Sequence, residues 1–437
     1  MNFLSKYLPE SAGKLYRSLV VNNYSSSDHD LIKGQLERHE KALNMAKKKE
    51  RLEVVFFVLN PDIWKYEKVY RLLERDSRFN PIVVICPAIN LLDDKAIISL
   101  MKQAYRSFLE EGYNVVSSYN ENTGKYLDVN AELKPDIVFF TNPYGYTLGK
   151  YQIKNFLDTL TCYVQYSFPM EDVEHFYNKA FHSLLWKAFY ETELHKEMAK
   201  EYALNKGVNV EVTGHPGTDS FMYGSRVNNG AWKRSGLNMK RIIWAPHWSV
   251  ISRGRGRPSA SNFLEISEFM LELADRFKSE VQFAFKPHPY LKRTLYDLEG
   301  WGKDKTEAYY RKWDEMENGQ LETGNYTELF NGSNALIHDS ISFIAEYLYC
   351  GKPSLFLKSD PDVNRRFNEF GNLALNHHYH GSGKEDILHF IEHTVLKGND
   401  PEKMKRDDFY KKTLMPKDGR TASQNIYDII CREIFGE

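Results

Sequence analysis

Four of the 14 histidines end or closely follow short apolar runs that predict buried β-strands. They are His215 in TGHPGTD, His247 in WAPHWS, His288 in FKPHP and His338 in ALIHDS. The carboxyl ends of parallel strands meet at the ligand-binding edge of a sheet, so we expect these imidazoles to converge there. Together with Lys286 they would donate hydrogen bonds to anionic oxygens, which predicts a phosphate or pyrophosphate site. His215, His288 and His338 are the catalytic candidates, and His247 and Lys286 are ligand-binding candidates.

The segment 334–357, NALIHDSISFIAEYLYCGKPSLFL, predicts a strand, a polar turn, a helix and a second strand. Asp339, Ser340 and Ser342 would cap the helix predicted over 341–350 and surround its N-terminus. Free amides and the helix dipole favour phosphate at such a terminus, so these three residues are further ligand-binding candidates. The alternative interpretation is that Asp-Ser-x-Ser only caps the helix.

The spacing of these residues disfavours several other kinds of site. The four histidines lack zinc-ligand spacing and have no C-x-x-C beside them. No G-x-G-x-x-G follows the first predicted strand and no G-x-x-x-x-G-K-[ST] occurs, which disfavours NAD enzymes and P-loop NTPases. We therefore expect no metal and no cofactor, and a nucleotide-diphosphate donor as substrate.

Predicted strands and helices alternate along most of the chain, which indicates parallel sheets covered by helices. The predicted fold class is α/β, with two Rossmann-like domains facing each other across a cleft. We expect an N-terminal helical extension over 1–52, an acceptor domain over 53–225, a nucleotide-donor domain over 226–415 and a C-terminal helix over 416–437. The polar segment 223–240 is expected to link the two domains.

Three stretches carry more specific expectations. Residues 178–204 predict one long helical stretch rich in aromatic residues, and the chain after Asp360 is predicted to be helical to its end. The arginine- and glycine-rich segment 252–258 is the one low-complexity tract.

The composition is that of a globular protein, with 42% hydrophobic and 27% charged residues. A formal net charge of −1 argues against binding nucleic acid through bulk electrostatics. Four scattered cysteines predict buried thiols in a reducing compartment, and the sequence has no apolar run of membrane-spanning length, so we expect a cytoplasmic protein. Residues 1–19, with aromatic residues among Lys and Arg, predict either a short docking helix or a peripheral contact with the inner face of the cell membrane.

The motifs TGHPGTD, IIWAPHWS, FAFKPHP and ALIHDSISFIAEYLYCGKPSLFL, in this order, resemble those of the CDP-glycerol glycerophosphotransferase family. The resemblance spans residues 136–370 and is strongest over 241–357. It implies a glycosyltransferase-B-like (GT-B-like) fold and transfer of a glycerol-phosphate or related polyol-phosphate unit from a CDP-activated donor, with release of CMP. The implied acceptor is a cell-surface polysaccharide, a teichoic-acid-like polymer or its lipid-linked form.

By this resemblance, His288, Asp339, Ser340 and Ser342 would bind the donor pyrophosphate. Two departures concern the first domain. Family members carry a Trp-His-Gly segment, whose histidine is proposed as the base, where this chain has YVQYSFP over 163–169. They also carry an arginine at the position of Gly217.

These departures leave the base that activates the acceptor open. The local candidates follow the predicted strand end and are Glu171, Asp172, Glu174 and His175. By position, Pro143-Tyr144 and the turn at Tyr166 are expected on the acceptor side.

Other functions remain compatible with these patterns. A glycosyltransferase that uses a nucleotide sugar and a nucleotide-sugar epimerase would share the two-domain fold. A non-catalytic polysaccharide-binding scaffold is the alternative outside enzymes, and the missing Trp-His-Gly segment favours it. CMP release from a CDP-polyol, as opposed to nucleotide-diphosphate release from a nucleotide sugar, would distinguish them.

Overall fold

A computed structural model of the protein describes residues 25–89, 94–221, 231–233, 238–251, 261–324 and 326–437. The expectations for residues 1–19, for 252–258 and for most of the linker 223–240 lie outside the described residues. The chain forms two compact units. The first contains the described residues up to Tyr166 together with Glu174–Gly217 and Arg420–Glu437, and the second contains Ser167–Val173 and Thr218–Gly419.

The first unit is built on a seven-stranded parallel sheet, whose order is β3-β2-β1-β6-β7-β8-β9. Its strands are β1 (Leu52–Val58), β2 (Phe79–Ile85), β3 (Val115–Ser117), β6 (Ile137–Phe140), β7 (Leu160–Val164), β8 (Lys187–Tyr190) and β9 (Val210–Val212), and a separate hairpin joins β4 (Tyr119–Asn120) to β5 (Lys125–Tyr126). The central strands are continuous apolar runs because helices cover both faces of a parallel sheet. At the centre, the ring of Phe56 stacks on that of Phe139 with centroids 4.5 Å apart.

The helices of the first unit alternate with these strands. They are α1 (Ser26–Lys33), α2 (Gln35–Ala46), α3 (Glu67–Arg75), α4 (Asp94–Glu110), α5 (Val129–Glu132), α6 (Ala180–Leu184) and α7 (Glu193–Tyr202). The C-terminal helix, Ala422–Phe435, also belongs to this unit because Ile426, Ile430 and Ile434 are buried in its core.

The prediction of one helix over 178–204 is wrong, because β8 separates α6 from α7. Ala188, Phe189 and Tyr190 are buried and pair with β7 on one side and β9 on the other. A short run of apolar and aromatic residues fits a buried strand as well as a helix, and here the neighbouring strands decide between them.

The second unit contains a six-stranded parallel sheet with the Rossmann order β12-β11-β10-β13-β14-β15. Its strands are β10 (Lys240–Ala245), β11 (Val281–Phe285), β12 (Gly319–Leu321), β13 (Ala335–His338), β14 (Ser354–Leu357) and β15 (Tyr379–Gly381). Its helices are α8 (Phe263–Arg276), α9 (Leu291–Tyr296), α10 (Gly302–Glu315), α11 (Thr327–Gly332), α12 (Ile341–Glu346), α13 (Glu369–Leu375), α14 (Lys384–His389) and α15 (Lys403–Phe409).

The two edge strands, β12 and β15, were not predicted, and β15 contradicts an all-helical chain after Asp360. Each has three residues, which is too short to show the alternation of apolar and polar residues that marks a strand. β12 forms by pairing with β11, and β15 forms by pairing with β14. The core of this unit is aromatic. Phe285 lies between Trp244 and Trp313, at centroid distances of 5.0 and 5.5 Å.

The units divide after Gly217, whereas the sequence places the boundary near 225 and separates 416–437 as its own element. Ser167–Val173 joins the second unit because Asn368 donates hydrogen bonds to the Pro169 carbonyl (2.6 Å) and the Phe168 ring stacks on Phe370 (5.9 Å). Among the described residues, we find no helix that is both long and apolar enough to cross a membrane.

Candidate active site

The central strands of the second sheet bring the predicted motifs to one edge. β10 lies between β11 and β13, and Ala245 pairs with His338 at the carboxyl ends of β10 and β13. The strand order reverses at this point, which is where open α/β sheets bind their ligands. His247 follows β10 and His288 follows β11, so both reach the same edge.

His247 and His288 form a pair of imidazoles at this edge. Their rings meet edge to face with centroids 5.2 Å apart. The Nδ1 atom of each ring accepts a backbone N–H two residues later, from Ser249 (3.2 Å) and from Tyr290 (3.1 Å). A neutral imidazole that accepts at Nδ1 carries its proton on Nε2. The backbone therefore orients both rings so that Nε2–H is left as the donor for a ligand.

The surroundings of both histidines favour the neutral ring near pH 7. Burial lowers the pKa of His247 to about 3, and the neighbouring His288 and Arg366 contribute in the same direction. Burial, with a contribution from the charge of Lys286, lowers the pKa of His288 to about 4. A bound anion would oppose these effects by stabilising the protonated form.

Two cations accompany the histidine pair. Lys286 is buried, and its ammonium lies 5.9 Å from the centre of the Tyr326 ring. Arg366 ends a short 3₁₀ turn after β14, and its Nη1 is buried without a hydrogen bond to any described residue. Arg366 is not among the site residues predicted from the sequence. Arg365-Arg366 follows a predicted strand, so the rule that ligands bind at strand ends could have identified it.

Asp339 holds the turn after β10 in place. Its Oδ1 accepts the N–H of His247 and its Oδ2 accepts the N–H of Asn262 (3.0 Å). Burial raises the pKa of Asp339 to about 7, and these backbone bonds oppose the shift. Because both oxygens already accept backbone N–H groups, we interpret Asp339 as the brace that positions His247 and not as a direct ligand.

The prediction that side chains cap the helix after β13 is wrong. Ser340 is the N-cap residue of α12 by its backbone, but its side chain makes no capping hydrogen bond. Ser340 is buried and Ser342 is half-buried in the first turn. Asp339 turns towards the loop after β10, so its carboxylate does not serve this helix either.

His338 points into the interior of the second unit. It is fully buried, its Nδ1 donates to the Ser340 carbonyl (3.0 Å), and its ring packs against His378 and Phe356. Burial lowers its pKa to about 3. This placement favours a structural role, so the structure brings together two of the four predicted histidines, His247 and His288.

His215 lies in the first unit, after β9, and is also buried. Its Nε2 donates to the Gln165 carbonyl (2.8 Å), and burial lowers its pKa to about 3. A Cβ atom at Gly217 would lie 2.8 Å from Cε1 of His215 and 2.9 Å from Cδ of Lys65. A larger residue at Gly217 would therefore displace one of these side chains, so their present positions favour glycine here over the arginine that the resemblance implies.

A buried carboxyl group follows β8 in the same unit. Glu191 is 2% exposed and its oxygens make no hydrogen bond to a described residue; Nδ1 of His195 is 3.7 Å away. Burial raises the pKa of Glu191 from 4.5 to about 8. The folded state thus holds this proton more tightly than the unfolded state does.

We expect Glu191→Gln to stabilise the protein increasingly as pH rises from 4.5 to 8. Over this range the unfolded wild type ionises while the folded protein stays protonated, so wild-type stability falls, by on the order of 4 kcal/mol at the upper end. Urea unfolding of both proteins at several pH values measures the difference. A gap that does not change with pH would contradict a buried, protonated Glu191.

Among the described residues, no group of three or more His, Cys, Asp or Glu side chains is arranged to hold a metal ion. The chemistry at the edge of the second sheet is instead that of neutral N–H donors and cations. Such a set fits the oxygens of a phosphate or pyrophosphate.

Two Rossmann-like units, one of which carries N–H donors and cations at the carboxyl edge of its sheet, are typical of proteins of GT-B-like fold. A sequence profile of the CDP-glycerol:poly(glycerophosphate) glycerophosphotransferase family matches residues 190–432, more than half of the chain. The chain belongs to this family, and the prediction of a CDP-glycerol glycerophosphotransferase-type enzyme is confirmed. A comparison with curated proteins found no match.

Solved structures with the same fold include a variant of the wall teichoic acid polymerase TagF, at a TM-score of 0.59 and 15% identity, covering 94% of this chain and 99% of that one. A TagF variant soaked with CDPG matches with a TM-score of 0.55 and 14% identity over 98% and 99% of the two chains. A UDP-N-acetylglucosamine 2-epimerase matches with a TM-score of 0.54 and 13% identity, covering 89% of this chain and 97% of that one. These likenesses confirm the predicted GT-B-like fold.

Proposed function

We propose that this protein transfers glycerol phosphate from CDP-glycerol to a hydroxyl group of a teichoic-acid-like polyol-phosphate polymer and releases CMP. The observation that carries the proposal is the His247–His288 pair, whose Nδ1 atoms are tied to backbone N–H groups. Membership of the glycerophosphotransferase family supports the choice of donor.

The chemistry follows from the charges at this edge. The attacking hydroxyl forms a bond to the phosphorus that bears glycerol, and the bond from that phosphorus to the oxygen of CMP breaks. Negative charge grows on the CMP phosphate as this bond breaks. Nε2–H of His288 and of His247 would donate to these oxygens, and Lys286 and Arg366 would offset their charge. No metal or cofactor takes part in the proposed reaction.

A panel of donors tests this function. We expect the purified protein, given a glycerol-phosphate oligomer as acceptor, to release CMP from CDP-glycerol. Release of a nucleoside diphosphate from a nucleotide sugar would instead indicate a glycosyltransferase. A protein that consumes none of the donors yet binds the polymer would be a scaffold, and the proposed function would be wrong.

We further propose that the protein works at the inner face of the cell membrane, in peripheral contact with it, where a lipid-linked acceptor would be presented. The aromatic and basic residues of 1–19 support this location, because such segments bind anionic bilayer surfaces. Co-sedimentation of the full chain with anionic and neutral lipid vesicles tests it. If all of the protein stays in the supernatant with both kinds of vesicle, the proposal is contradicted.

A further inference from the structure

Two histidines lie against each other on the surface of the second unit. His389 is the last residue of α14, and His393 follows four positions later in a π-helix formed by Phe390–Leu396. Their rings stack with centroids 4.4 Å apart and planes inclined by 21°. α14 follows β15, which lies three strands away from β10 in the sheet order. The pair therefore does not belong to the edge that carries His247 and His288.

The core of the second unit holds the backbone of this helix in place. Phe390, Ile391 and Val395 are buried in that core, whereas His389 is exposed and His393 is half-buried. The helix thus presents both imidazoles on its outer side before any ligand binds. Two ligands on a fixed backbone lose little conformational freedom on binding an ion, which favours binding.

The backbone between the two histidines departs from the α-helix. The N–H of Lys397 donates to the carbonyl of Glu392, five residues earlier (3.3 Å), which is the hydrogen bond of a π-helix. The π-helix begins directly after His389, so it contains the whole spacing between the two imidazoles. Such turns are rare and occur frequently at functional sites.

The ring nitrogens of the pair are accessible to a ligand. The ring of His389 makes no hydrogen bond with any described residue. Nδ1 of His393 lies 3.4 Å from the ammonium of Lys397, an exposed residue. Because an ammonium can only donate, Nδ1 is the acceptor and directs its lone pair to this exposed cation. A metal ion would use the same lone pair.

The spacing and the residue type define the class of ion. Side chains four positions apart lie on one face of a helix, and two histidines so placed are the spacing of zinc-binding helices. Imidazole nitrogens bind Zn²⁺ at about 2.0–2.1 Å, so two of them on one tetrahedral ion lie about 3.3 Å apart. Rings with centroids 4.4 Å apart reach this separation by small side-chain rotations. Mg²⁺ and Ca²⁺ prefer oxygen ligands, whereas imidazole suits Zn²⁺, Ni²⁺ and Cu²⁺.

We propose that His389 and His393 chelate one divalent transition-metal ion of this class, such as Zn²⁺, and that water completes its coordination. The ion takes the place of the Lys397 ammonium at Nδ1 of His393 and binds a ring nitrogen of His389. Two protein ligands agree with the finding that the described residues contain no group of three or more metal-binding side chains. The chelate joins the end of α14 to the π-helix and stabilises this part of the second unit. The proposal is independent of the proposed transferase function, because neither histidine belongs to the candidate active site.

Calorimetric titration of the full chain with ZnCl₂ tests the site. His389→Ala and His393→Ala should each lower the affinity for one Zn²⁺ per chain at least tenfold, because a single imidazole cannot chelate the ion. His380→Ala is the matched control, since His380 is an exposed histidine of the same unit whose Nε2 donates to the Leu375 carbonyl (2.9 Å). This variant should bind Zn²⁺ as wild type does. MgCl₂ should give no binding to any of these proteins.

Lys397→Ala tests the assignment of Nδ1 of His393. Removing the ammonium frees the lone pair and removes a charge that repels the ion. The affinity for Zn²⁺ should therefore rise about two- to fivefold, the size of an exposed charge interaction. Weaker or unchanged binding would contradict the assignment of Nδ1.

Thermal unfolding provides a second readout. Zn²⁺ that binds only the folded chain should raise the Tm of wild type and raise it less in His393→Ala. His389→Gln and His393→Gln replace the alanine variants if these fail to fold, which circular dichroism without metal checks. The chelate is overturned if wild type binds no Zn²⁺, if wild type and both histidine variants bind it equally, or if only one of the two changes weakens binding.

Discussion

His288→Ala is expected to lower turnover of CDP-glycerol by a factor of about 100 or more, the range seen when one preorganised oxyanion donor is removed. Pro287 and Pro289 end the β11 ladder, and the N–H of His288 donates to the Pro246 carbonyl (3.1 Å), so the residue leaves the sheet in a fixed direction. The N–H of Tyr290 then holds Nδ1 (3.1 Å) and leaves Nε2–H for the ligand.

The loss should appear in turnover more than in donor affinity. The phosphate oxygen gains charge as the bond to CMP breaks, so its hydrogen bond to Nε2–H is stronger in the transition state than in the bound donor. With its pKa lowered to about 4 by burial and Lys286, His288 acts as a neutral donor, and its effect should persist through neutral pH.

His288→Gln is the matched control, because its side-chain amide places an N–H near the position of Nε2. It should retain more turnover than His288→Ala, and both variants should unfold at nearly the wild-type temperature because His288 is not in the core. Steady-state kinetics with CDP-glycerol and calorimetric donor binding separate the two effects. Full turnover in His288→Ala would contradict the proposed role of His288.

Asp339→Ala is expected to destabilise the second unit by about 2 to 6 kcal/mol, since it leaves two backbone N–H groups, those of His247 and Asn262, without their buried acceptor. The sequence alone predicts a smaller effect, the loss of an N-cap at about 1 kcal/mol. The larger value follows from the observed direction of the carboxylate, towards the turn after β10.

Ser340→Ala is the matched comparison. Because the Ser340 side chain makes no capping hydrogen bond, its removal should destabilise the protein less than Asp339→Ala does. Asp339→Asn should be intermediate, since one carbonyl oxygen can still accept one of the two bonds. Urea unfolding of the three variants measures the order of their free energies of unfolding. Equal losses in Asp339→Ala and Ser340→Ala would contradict the role of Asp339 as a brace.

Much of the fold was predictable from local pattern. Apolar runs located β10, β11, β13 and β14 within a residue of their observed ends, because a strand buried on both faces must be apolar throughout. The same patterns located His247 and His288, since residues just after parallel strands must reach the carboxyl edge. The motif order in turn identified the family that the profile of residues 190–432 confirms.

The remaining features depend on contacts between residues distant in sequence. β8 and the edge strands β12 and β15 exist through pairing with partners that local periodicity cannot reveal. The C-terminal helix joins the first unit because its apolar face fits a core formed by the beginning of the chain. The charge of Arg366 lowers the pKa of His247, although the two residues are more than a hundred positions apart in the sequence.

The direction of a side chain at a strand end was likewise decided by the tertiary structure. His338 and Asp339 are consecutive, yet the imidazole turns into the core towards His378 and the carboxylate turns to the amides of His247 and Asn262. The sequence by itself determined that these residues end a strand at the functional edge. The direction in which each side chain turns depended on β14, α8 and the segment before β15, because buried hydrogen-bond partners come from neighbours that only the folded sheet brings together.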